Sequence, residues 1–259
     1  RSAGNLTLQG YSYAASGSGR GVDLNNDVIA ASGTVSMTGQ HNTGATYALS
    51  LSGSTSITAG TGVTLESLNN NTGTIALLSS GGINGGSGTV LMRAANYAFG
   101  GADRTITTTG VLTIQPDADE NSFASSFDNQ YLNPVSVTGL TLGKSSNASA
   151  ITLSRAISLS GPVSIYGGSI DVNANITANS GNILLDADTG STLNQSSTGI
   201  LLDDAITIET VTSGNLTLIG RSGDTGSGFD GIDASSANTT TLRSAGNLTL
   251  QGYSYAASG

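Results

Sequence analysis

The stretch Arg1–Gly17, RSAGNLTLQGYSYAASG, returns without a change at residues 243–259. The offset between the copies is 242 residues, and self-similarity at a fixed period is the signature of a repeat architecture. Inside the copied stretch lies a shorter unit, Gly4-Asn5-Leu6-Thr7-Leu8, a turn followed by apolar, small polar, apolar. The same pattern recurs as Val35-Ser36-Met37, Val63-Thr64-Leu65, Val90-Leu91-Met92, Leu112-Thr113-Ile114, Leu140-Thr141-Leu142, Val163-Ser164-Ile165, Ile183-Leu184-Leu185, Leu216-Thr217-Leu218 and Leu248-Thr249-Leu250. Alternation with period two is that of a half-buried strand, and no 3.6-residue helical period is sustained.

Successive copies of this strand are 20 to 33 residues apart. That step holds two or three short strands and their turns, the size of one coil of a parallel β-helix. In the second coil, Thr34–Thr38, Tyr47–Ser52 and Thr55–Thr58 are separated by Gly39, Gly44 and Gly53. The reading is an all-β chain, a right-handed parallel β-helix (β-solenoid) of about nine coils per 242-residue unit. At ~4.8 Å per coil this is a rod of roughly 43 Å per unit. Leu6, Val35, Val63 and Val90 are expected to stack as one interior column, with Leu8, Met37, Leu65 and Met92 beside it. Residues 1–242 then form one tandem unit and 243–259 the start of the next, so that further units are expected before and after. A string of immunoglobulin-like sandwiches fits less well, because such domains use longer strands and larger buried aromatics.

Composition agrees with a long thin core. The chain of 259 residues has 37 glycines, no Trp, no Cys and only 10% charged residues. A net charge of −9, with eight scattered Lys and Arg, excludes a nucleic-acid binder and a protein drawn to anionic membranes. Without Cys, disulfides and thiolate metal sites are excluded. No apolar run approaches the ~18 residues of a membrane span.

The regularity breaks at residues 115–134, QPDADENSFASSFDNQYLNP. This reads as a loop insertion whose Asp117, Asp119, Phe123, Phe127 and Tyr131 make a candidate ligand or contact surface. The i, i+4, i+8 spacing of the three aromatics fits one helical turn; alternatively, they fold the loop down onto the coils.

The motif Gly-Asn-apolar-x-apolar, at Gly4–Leu8, Gly181–Leu185, Gly214–Leu218 and Gly246–Leu250, with ITANSGNILLDA and GADRTITTTGVLTI around it, resembles the repeat region of filamentous-haemagglutinin-like exoproteins. These are secreted by the two-partner pathway of Gram-negative bacteria. The resemblance implies a right-handed parallel β-helix, export through an outer-membrane transporter, and work at the cell surface as an adhesin or extracellular filament. Asn133-Pro134-Val135 does not match the family's secretion motif.

No catalytic residues are expected. Enzymes on this fold, polysaccharide lyases and hydrolases, cluster carboxylates with Arg or Lys, whereas Lys144 is the only lysine and the aspartates are scattered. The metal candidates are Asp186 with Asp188, as hard oxygen ligands for Ca²⁺, and the junction of units. There Gly231-Ile232-Asp233 corresponds to Gly21-Val22-Asp23, so Asp233 is expected one coil from the next unit's Asp23, a like-charge contact that Ca²⁺ would relieve. No other cofactor is expected. His41 reads as an exposed turn residue. The outward Thr or Ser of the recurring strand is a candidate glycan or ice face, though Thr also simply suits exposed strands. The expected function is a structural repeat of a giant secreted protein forming a rigid rod or fibre, used in adhesion or cell–cell contact. Its expected partners are adjacent copies of itself, other chains in a filament, and glycans or neighbouring cells. A glycan-binding module acting through the 115–134 loop or the Thr-lined face is the first alternative, and a polysaccharide lyase or hydrolase the second.

Overall fold

The computed structural model describes residues 1–13, 19–41, 47–68, 72–78, 81–101, 103–118, 120–187, 197–203, 205–223, 229–235 and 238–254. Among them there is no helix, and every strand pairing is parallel. The chain falls into two compact units, Arg1–Ala124 with Tyr131–Thr138, and Ser125–Gln130 with Gly139–Gly259.

In the first unit, the recurring strands Leu6–Ser12, Val35–His41, Val63–Ser67, Val90–Arg93 and Val111–Gln115 lie side by side as one sheet. Arg20–Leu24, Tyr47–Leu51, Thr74–Leu77 and Asn96–Phe99 form a second, and Val28–Ala30, Ile57–Ala59, Ile83–Asn84, Arg104–Thr107 and Leu132–Val135 a third. Each strand therefore pairs with its counterpart one coil later, so chemically similar residues meet. Leu6, Val35, Val63, Val90 and Leu112 form one inward column, and Leu8, Met37, Leu65, Met92 and Ile114 its neighbour. The members from Val35 and Met37 onward are almost wholly buried. A third column, Val28, Ile57, Ile83 and Ile106, closes the interior from another side.

The second unit is built likewise. Its recurring strands are Gly139–Leu142, Val163–Gly167, Ile183–Ala187, Leu216–Arg221 and Leu248–Tyr253, flanked by two further parallel sheets. Phe127, Ile151, Ile170, Ile200 and Ile232 are in register along one of them. These stacked parallel sheets fit a β-solenoid.

The Gly-Asn of the motif acquires a mechanical role here. The Asn215 backbone N–H donates to Asn182 Oδ1 (2.9 Å), and the Asn247 N–H donates to Asn215 Oδ1 (2.9 Å). In the first unit Asn5 Oδ1 accepts from the Thr34 N–H at 3.1 Å. Each Asn thus caps the backbone at the entry of the next coil and fixes the register, which a slip of one residue would invert. The preceding glycine lets the chain turn: Gly181 and Gly214 have φ of 103° and 110°.

A Cβ placed on Gly214 would meet the Gly181 carbonyl oxygen at 2.0 Å, whereas Gly101, with φ of 79°, has nothing within 4 Å. Gly101→Ala is therefore expected to cost only the left-handed backbone penalty, about 1–2 kcal/mol, and Gly214→Ala clearly more, because two coils must part. Urea denaturation of both variants checks this; equal losses would show that the close approach is not what selects Gly214.

Candidate functional site

The segment 115–134 does not form the expected helical turn or project its aromatics. Gln115 ends one strand, Leu132, Asn133 and Pro134 belong to another, and Phe127–Asp128 is a short strand of the second unit. Phe123 and Phe127 are buried. In the first unit Phe123 packs edge-on against Tyr97, with centroids 5.9 Å apart, and Tyr131 lies 6.3 Å from Phe99. Asp117 is also buried, its Oδ1 accepting from the Ala118 N–H at 2.5 Å. Tyr97 donates its hydroxyl to the Gln115 carbonyl at 3.0 Å, and burial raises its pKa well above the usual tyrosine value. Apolar area outweighs the polarity of the segment, and the aromatics fold down onto the coils. Asp119 lies outside the described residues.

The Ca²⁺ candidates meet protein groups. Asp186 Oδ1 is 3.0 Å from the Arg221 guanidinium, and Asp23 Oδ2 is 2.6 Å from that of Arg20. Asp186 and Asp23 thus each have an arginine counter-charge. Asp233 is partly exposed, and hydrogen bonds from the Ser235 side chain and from the Ser235 N–H, the latter at 2.8 Å, lower its pKa. Asp188 lies outside the described residues, among which no three His, Asp or Glu gather to hold a metal. The correspondence of Asp23 with Asp233 fits the backbone: a Cβ on Gly10 would strike the Gly21 carbonyl at 1.9 Å, and one on Gly220 the Gly231 carbonyl at 1.9 Å.

The hydroxyl column exists as expected, with Thr7, Ser36, Thr64, Leu91 and Thr113 in register in the first unit and Thr141, Ser164, Leu184, Thr217 and Thr249 in the second. Beside it in the first unit runs Gln9, Thr38, Glu66, Arg93 and Gln115. This is not a second hydroxyl row, so the flat two-hydroxyl array of an ice-binding surface is not met. Its charges take opposite signs on successive coils, Arg93 lying 3.6 Å from Glu66. Stacking like on like would otherwise set equal charges about 4.8 Å apart.

In the second unit Asp128, Thr152, Asp171, Leu201 and Asp233 share a column. Desolvation raises the pKa of Asp171, opposed by a hydrogen bond from Asn173 and aided by Asp203 and Asp128.

Two inward polar residues were missed from sequence. Arg104 is wholly buried and follows Thr55 and Gly81 in one column. Its Nη1 donates to both their carbonyls, one and two coils back, that of Thr55 at 3.1 Å. Burial lowers its pKa to about 10, which leaves it charged at neutral pH. His41, expected in an exposed turn, is the buried last residue of Val35–His41. It stands in register with Ser12, as Gln40 does with Tyr11. Tyr11, Ser12, Tyr13, Gln40 and His41 line a cavity of about 260 Å³, beside which Tyr11 and Tyr13 remain 54% and 83% exposed. Period-two alternation from Val35 and from Ile106 points both His41 and Arg104 inward, a signal available in the sequence.

No family model, curated protein or solved structure matches this chain.

Removing the guanidinium leaves buried carbonyls without their donor and opens a void. Arg104→Ala is expected to lose on the order of 3 kcal/mol in urea denaturation, with Arg104→Met recovering part by refilling the space. An unchanged midpoint for Arg104→Ala would show that Arg104 does not clamp the coils. Asp171 titrates with the opposite sign to a salt-bridged carboxylate. Between the ordinary carboxyl pKa and its raised value the folded chain holds more protons, so its contribution to stability falls as pH rises through that window. Asp171→Asn is expected to melt higher than the parent at neutral pH, the gap closing as pH falls through the raised pKa; a gap constant with pH would exclude the desolvated carboxylate as its cause.

Proposed function

We propose that the chain is a structural repeat of a giant secreted protein, a right-handed parallel β-helix that extends by tandem 242-residue units into a rigid extracellular rod or fibre. Its use is adhesion or cell–cell contact, as in the filamentous-haemagglutinin-like exoproteins that its Gly-Asn motif resembles. The observation that carries this reading is the placement of the repeated strand. Leu248–Tyr253 lies on Leu216–Arg221, while the identical residues of Leu6–Ser12 lie against Val35–His41. The same sequence thus accepts the last coil of a unit on one side and the second coil of a unit on the other. Leu248 and Leu250 remain 47% and 51% exposed, although Leu216 and Leu218 beneath them are wholly buried. In the proposed array the next members of their columns are the counterparts of Val35 and Met37.

Stability in such an array is a sum of coil and nearest-neighbour terms, so added units raise it. A chain with two consecutive units is expected to unfold at a higher temperature than residues 1–259, and electron cryomicroscopy of the assembled material to give a ~4.8 Å axial rise and a right-handed coil. An unchanged melting temperature would mean that the units do not stack and would overturn the reading.

A further inference from the structure

We propose that the cavity between Tyr11, Ser12, Tyr13, Gln40 and His41 is a binding site for a neutral sugar ring, present once in each tandem unit. The cavity is about 260 Å³, below the ~300–1,000 Å³ of pockets that take drug-sized ligands, and so matches one pyranose rather than an oligosaccharide. Its walls supply the two things a sugar needs. Tyr11 and Tyr13 offer aromatic faces for the apolar C–H side of the ring. Gln40 brings an amide with donors and an acceptor and Ser12 a hydroxyl, which suit the ring's hydroxyls, while the buried His41 completes the lining. Backbone pairing holds these groups in place: Tyr11 is in register with Gln40 and Ser12 with His41.

The second copy of the strand shows how the site is bounded by the coil before it. At Tyr253, the counterpart of Tyr11, the Arg221 guanidinium lies 5.7 Å from the ring centroid and is itself paired to Asp186. The preceding coil therefore covers the tyrosine with a neutralised cation, and the sugar takes the side of the following coil, where Gln40 and His41 stand. A chain of net charge −9 repels uronic and sialic acids at long range, which favours neutral hexoses. Because Tyr11 and Tyr13 recur at Tyr253 and Tyr255, a tandem array is multivalent, and weak single sites sum to avidity along it.

The test is saturation-transfer NMR and titration of residues 1–259 with the methyl pyranosides of glucose, galactose, mannose and N-acetylglucosamine. At least one is expected to bind, with transfer strongest to the C–H protons of one ring face. Tyr13→Ala and Gln40→Ala are expected to weaken it by roughly tenfold each, the size of one stacking or hydrogen-bonding contact, and Tyr13→Phe to retain it. The melting temperature of both Tyr13 variants should match the parent, since Tyr13 lies outside the strand Leu6–Ser12. Absence of transfer to all four sugars, undiminished binding in Tyr13→Ala, or binding of methyl glucuronide alone would each overturn the proposal.

Discussion

Parallel pairing of each strand with its counterpart one coil later constrains everything else in this chain. At about 4.8 Å between neighbours, every residue has its own column as its environment, and a column tolerates only what can stack upon itself. Small and medium aliphatics can, which is why Val, Ile, Leu and Met fill the inward columns of both units. Asparagine can, because its carbonyl oxygen accepts from the N–H one coil on, as those of Asn182 and Asn215 do in turn. Charge cannot, and so Glu66 meets Arg93 and Glu209 meets Arg243 on successive coils.

The exceptions to stacking are where the chain spends stability. Arg104 puts a guanidinium in an otherwise apolar interior and turns its charge to account by holding the carbonyls of two earlier coils. Asp171 keeps a half-buried carboxylate in a column with Asp128 and Asp233, at the cost of a raised pKa. The aromatic group of Tyr97, Phe99, Phe123 and Tyr131 covers the place where the strand pattern is interrupted. The tyrosines at the end of Leu6–Ser12 are different, since Tyr13 fills no column and is left to solvent beside a polar cavity. A surface residue that serves no packing purpose is where a role in binding is most readily sought.

The recurring strand was legible because its cause is local. Inward and outward positions of Val35–His41 or Val63–Ser67 follow from period-two alternation, and their columns follow from matching one Gly-bounded strand to the next. The column partners expected for Leu6 and Leu8 are those found. The segment 115–134 was legible only in part, for the opposite reason: that its aromatics fold down onto the coils was one of two readings, and the sequence could not choose between them. Its i, i+4, i+8 aromatics imitate a helical period, but the partners that bury them, Tyr97, Phe99 and Ile151, lie on other coils. For Asp186 the charge that reaches it was likewise out of sight in the sequence: Arg221 comes from the following coil.

The sequence by itself determined the repeat, the all-β class and the inward columns, because each depends on spacing along the chain. Tertiary structure alone decided which side chains meet between coils: the arginine at Asp186, the carbonyls at Arg104, the cover over Phe123 and the cavity beside His41. The coil-to-coil step varies between 20 and 33 residues, so partners across coils stand at no fixed distance in sequence, and only the closed backbone sets them side by side.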